Sequence, residues 1–72
     1  MLPTHPEANR QVQLAGVVVA YHLRRSNRRS IGFVVRPEGL LVAAPRWVSL
    51  AQIDQALQAK ASWVLRKLQD VG

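Results

Sequence analysis

Apolar and polar positions alternate singly through the first half of the chain and recur every three or four residues in its last third. Val12 and Leu14 alternate with Gln11 and Gln13, which predicts a short strand with one apolar face. Ala15-Gly16 offers a tight turn because glycine tolerates positive φ. Val17 to Arg24 follows as a second strand, with Val17, Val19, Tyr21 and Leu23 on the core side and Val18, Ala20, His22 and Arg24 on the other. Ser26-Asn27 is read as the next turn, since asparagine accepts left-handed backbone and both side chains can bond nearby amides. Ser30 to Val35 returns as a third strand with Ile31, Phe33 and Val35 on its apolar face. Gly32, inside that strand, signals a bulge or a close approach.

Arg36-Pro37-Glu38-Gly39 is the clearest turn: proline presets φ and Gly39 takes the positive-φ site. Leu40 to Ala44 forms a fourth strand, stopped by Pro45. Ser49 then starts a helix, with Gln52 at capping-box spacing and Val48 and Ile53 as a flanking apolar staple. Ile53, Leu57, Ala61, Val64 and Leu68 form a buried stripe, widened by Ala56, Trp63 and Leu65. The expected fold is α+β: an antiparallel β-meander of about four strands with one C-terminal amphipathic helix packed on one face. Residues 1–10, with Pro3 and Pro6, are expected to be a flexible lead-in. Residues 11–72 are expected to be a single small module.

Composition bounds the chemistry. Seventy-two residues suit one domain, and a chain this short buries only roughly 60% of its unfolded surface. There are no cysteines, so neither disulfides nor thiolate metal sites are available. No apolar run reaches the roughly 18 to 20 residues of a membrane span, no secretory leader is read at the start, and a cytoplasmic location is expected. The net charge of +6 favours polyanionic or acidic partners.

No catalytic constellation is visible. His5 and His22 fall short of the three or four convergent ligands a zinc site needs, so no metal ligand is expected here. Glu7, Glu38, Asp54 and Asp70 are scattered, and Asp54 is read as a helix-start acid. Ser26, Ser30, Ser49 and Ser62 all have turn, strand, cap or surface explanations. Tyr21 and Phe33 share the aliphatic face and are expected in the core, while Trp47 either covers the sheet edge or is left exposed for a partner.

One cluster stands out. Arg24, Arg25, Arg28 and Arg29 fall within six residues, at the tip of an expected hairpin. Together with Arg36 they are the candidate anion- or partner-binding residues, because each guanidinium can grip a phosphate or carboxylate through two N–H groups. The competing explanation is a solvated tip whose charge discourages edge-to-edge association.

The run Tyr21-x-Leu23-Arg24-Arg25-Ser26-x-Arg28-Arg29-Ser30-Ile31 resembles the opening of YgjP-like metal-dependent hydrolases, zincin-type zinc metallopeptidases by prediction. Ile31-Gly32-Phe33-Val34-Val35, the Arg36–Gly39 turn and Leu40-Leu41-Val42-Ala43-Ala44-Pro45 follow in the family's order. Ser49-Leu50-Ala51-Gln52-Ile53 and Lys60-Ala61-Ser62-Trp63-Val64 are similar to its helix. The resemblance spans residues 11–70, and the family's H-E-x-x-H helix lies beyond it. It implies a non-catalytic N-terminal module, a scaffold or substrate-side wall whose partner is a zinc-bearing catalytic domain. Zinc is expected only in that domain, and no family ligand can be carried onto this chain. The alternative is an independent basic module that binds nucleic acid through the Arg24 to Arg29 hairpin tip. The partners allowed besides the catalytic domain are thus nucleic acid or an acidic substrate.

Overall fold

The computed structural model describes Leu2 and residues 4–71. Met1 and Pro3 of the expected lead-in, and Gly72 of the expected module, lie outside the described residues. The chain is α+β, with the order β1 (Arg10–Leu14), β2 (Val17–Ser26), β3 (Gly32–Arg36), β4 (Gly39–Pro45), α1 (Leu50–Ala59) and α2 (Ala61–Val71).

Both tight turns form where the sequence places them. Leu14 pairs with Val17 across Ala15-Gly16, whose φ angles of 50° and 80° are both left-handed. Two left-handed residues match the twist of the flanking strands. Arg36 pairs with Gly39, and Gly39 sits at φ 129°.

The meander does not form. The strand order is β1-β2-β4-β3, and β2 runs parallel to β4, with Tyr21 opposite Leu40 and Ser26 opposite Pro45. The expected Ser26-Asn27 hairpin is therefore corrected to a bridge. The chain does turn there, as the Arg28 N–H donates to the Ser26 carbonyl at 3.0 Å. It then passes the end of β4 to reach the far edge of the sheet. A local turn signal and a short loop fit both arrangements. Five residues reach further than two strand spacings, about 10 Å.

The single expected helix is two. Lys60 separates α1 from α2, and its N–H donates to the Leu57 carbonyl at 3.1 Å, closing the last turn tightly. The break lets α1 lie against β1 while α2 covers β3 and β4. The capping box forms as read: the Ser49 hydroxyl accepts from the Gln52 N–H at 3.1 Å, and Gln52 Oε1 accepts from the Ser49 N–H at 2.9 Å.

Between sheet and helices lie Val12, Leu14, Val19, Tyr21, Leu40, Val42, Ala44, Val48, Ile53, Leu57, Val64 and Leu68, all buried. Ile31, Phe33, Val35, Ala61, Trp63 and Leu65 pack around them half-buried. Tyr21 keeps its hydroxyl satisfied, since it accepts from Arg10 Nε at 3.1 Å. That bond is the main reason the Arg10 pKa is raised, against partial desolvation and with the Asp54 charge assisting. Asp54 lies one turn inside α1 and faces Arg10 at 3.7 Å, so its partner is a side chain and not the helix start.

Candidate functional site

The five candidate arginines do not form one site. Arg24 and Arg25 are the last charged residues of β2, Arg28 and Arg29 lie on the bridge, and Arg36 closes β3 at its opposite end, beside the Pro37-Glu38 turn. Arg36 is thus separated from the others by the length of β3.

Arg25 belongs to the architecture. It pairs with the buried Ala44, which puts its side chain on the helix-covered face of the sheet. Its Nη1 donates to the Pro45 carbonyl at 2.8 Å and also to the Val48 carbonyl. The Val48 N–H donates to the Pro45 carbonyl at 3.3 Å, so residues 45–48 form a turn that Arg25 clamps at both ends. Arg46 and Trp47 are the two central residues of that turn and are forced outward. Trp47 is 72% exposed, the most open of the large apolar side chains.

Arg24 and Arg28 sit on the opposite, outer face. Arg24 pairs with Ala43, and Ala43 pairs with Gly32, so the three form one row across the sheet. A side chain at Gly32 would meet the Arg28 guanidinium at 2.8 Å. The missing side chain at Gly32 is what lets Arg28 lie down on the sheet, and its Nε donates to the Ser30 carbonyl at 2.7 Å. Close approach, one of the two expectations for this glycine, is the arrangement found. Arg28 and Arg24 thereby flank the small Ala43, with their rows' backbones about two strand spacings, or 10 Å, apart. Arg29, on the bridge, and Arg46, on the 45–48 turn, are exposed.

Residues 24–29 and 46–47 converge because Ser26 pairs with Pro45. None of the four acidic residues lies on the last half of β2, on the bridge or on the 45–48 turn. Arg46 was outside the sequence-based candidate set. Its signal was present, because Pro45 ends a strand and a capping serine follows at position 49, which leaves Arg46 and Trp47 in the corner between them.

The other cluster lies at the far end of the outer face. The His5 and His22 rings are 5.1 Å apart, and Glu7 Oε2 is 3.9 Å from His22 Nδ1. His5 Nδ1 already accepts from the Glu7 N–H at 3.0 Å. Among the described residues no group of three or more His, Cys, Asp or Glu could hold a metal ion, so these residues do not fit the zinc centre that the family resemblance implies for a catalytic domain. The Asn9 side chain holds this segment to β2, donating to the Leu23 carbonyl at 3.1 Å and accepting from the Leu23 N–H at 2.7 Å. Between the sheet and α2, Phe33, Lys60 and Trp63 line an open groove. Among the described residues no helix is long and apolar enough to cross a membrane.

The chain matches no protein-family model, no curated protein and no solved structure.

Proposed function

We propose that this chain is a non-catalytic module of a YgjP-like zinc metallopeptidase, a scaffold or substrate-side wall for a catalytic domain that carries the zinc. The observation that carries the reading is the ordered run from Tyr21 to Val64, in which an arginine turn, an apolar strand, a Pro-Glu-Gly turn, a strand ending in proline and a Lys-x-x-Trp helix follow one another. The interdependence of these pieces supports it. Arg25, in the first piece, holds the backbone of Pro45 and Val48, which join the strand to the helix. The arginine turn and the Pro45 corner are thus two halves of one contact, which is a physical reason for them to occur together. The chain's own residues supply no nucleophile, base or metal set in this reading, and its contribution is shape.

Reading the gene downstream of the Gly72 codon tests this. An H-E-x-x-H motif in frame is expected, and the extended protein should bind about one zinc per chain by elemental analysis. A reading frame that continues without the motif, or closes, sinks the proposal.

A further inference from the structure

The arginine end of the sheet has a composition and geometry that the scaffold role does not require. Arg24 and Arg28 lie on one face on either side of Ala43. Arg29 on the bridge and Arg46 on the 45–48 turn are exposed at the same end of the sheet, where Ser26 pairs with Pro45, and Trp47 is held out at the corner of that clamped turn. An apolar indole at the corner of a turn costs hydration free energy, and here the fold enforces that exposure through Arg25 instead of burying the ring. We propose that this surface binds single-stranded nucleic acid, with phosphates at Arg24, Arg28, Arg29 and Arg46 and a base stacked on Trp47.

The chemistry favours that ligand over an acidic peptide. A peptide carboxylate would use the guanidinium groups but has no need of a flat aromatic face. An unpaired nucleic-acid strand presents regularly spaced phosphates together with bases free to stack on an indole. Duplex DNA would offer the same phosphates but keep its bases inside the helix. The excess of ten basic over four acidic residues adds long-range attraction of the same sign.

The test is fluorescence anisotropy of a labelled 20-nucleotide oligothymidylate against the purified chain at 50 and 200 mM salt. A matched duplex serves as comparison. Four phosphate contacts on a single strand predict an affinity about 50-fold weaker at the higher salt. The double variant R29E/R46E is expected to abolish binding at 200 mM salt. R36E removes one positive charge and adds one negative charge at the opposite end of β3, and should have several-fold less effect than R46E alone, which makes the same charge change. W47A should weaken binding at least fivefold and lose most of the intrinsic fluorescence quenching by the oligonucleotide. A circular-dichroism melt of each variant confirms folding. Absence of binding at 100 µM chain and 50 mM salt overturns the proposal. So do equal losses for R36E and R46E, equal affinity for the duplex, or an unchanged affinity in W47A. These outcomes are independent of the downstream gene sequence, so this inference and the metallopeptidase reading can fail separately.

Discussion

Arg25 and Val48 are 23 residues apart, yet the guanidinium of the first donates to the carbonyl of the second and, at 2.8 Å, to that of Pro45. The most charged stretch of the chain thus turns one half-buried member toward the helix layer, where it fixes the corner between the last strand and the first helix. Its charge satisfies the Val48 carbonyl and adds a second donor to the Pro45 carbonyl, which already accepts from the Val48 N–H.

Arg25→Ala should therefore destabilise the fold by about 1–3 kcal/mol, the cost of leaving the Val48 carbonyl without its donor. For a chain of this size that lowers the melting temperature by several degrees or more. Arg25→Lys should recover only part of it, because the lysine nitrogen is one bond short of the Nη1 position that reaches both carbonyls. Urea titration measures the loss, and hydrogen exchange at residues 46–50 should accelerate in both variants.

Gly32 and Gly39 make a contrasting pair. A methyl group at Gly32 meets only the far end of the flexible Arg28 side chain. Gly32→Ala is expected to change stability by less than about 0.5 kcal/mol, within the range of a surface substitution, while displacing Arg28 from the sheet. Gly39 combines φ 129° with the His5 backbone 2.5 Å from where a Cβ would stand. Gly39→Ala should cost about 2 kcal/mol or more, since it imposes strain and a backbone clash together. Chemical denaturation of the two variants side by side checks the order.

Ala15 occupies the left-handed region at φ 50°, which costs a non-glycine residue about 1 kcal/mol. Asparagine accepts that conformation more readily, and Asn-Gly is a favoured pair for this two-residue turn. Ala15→Asn is expected to raise stability by about 0.5 kcal/mol, read as an upward shift in melting temperature. A decrease would show that the turn is not limited by this strain.

Asn9, just before the first residue of β1, supplies β2 with an acceptor and a donor through its side chain, which meet the Leu23 backbone. Asn9→Ala should cost about 1–2 kcal/mol. It should also free the segment that carries His5 from His22, seen as loss of through-space NMR contacts between the two rings.

The sequence alone determined the local elements. Alternation marked the first three strands and the face each turns inward, because a pleated strand exposes successive side chains on opposite sides, and a continuous apolar run stopped by Pro45 marked the fourth. Ala15-Gly16 and Pro37-Glu38-Gly39 fixed the two tight turns, and Ser49 with Gln52 fixed where the helical part begins. Tyr21 and the Ile53 to Leu68 stripe were legible as core because their spacing matches one buried face. What only the tertiary structure decided was neighbourhood. A strand's pattern tells which face is buried but not which strand lies beside it, so the insertion of β4 between β2 and β3 had no local mark that distinguished bridge from hairpin. The break at Lys60 has no glycine or proline to mark it, and it divides the helical part between β1 on one side and β3 and β4 on the other. The candidate site was divided for the same reason. Arg25 turned inward and Arg36 went to the far end, while Arg46 and Trp47 joined Arg24, Arg28 and Arg29 because parallel pairing brings Ser26 beside Pro45.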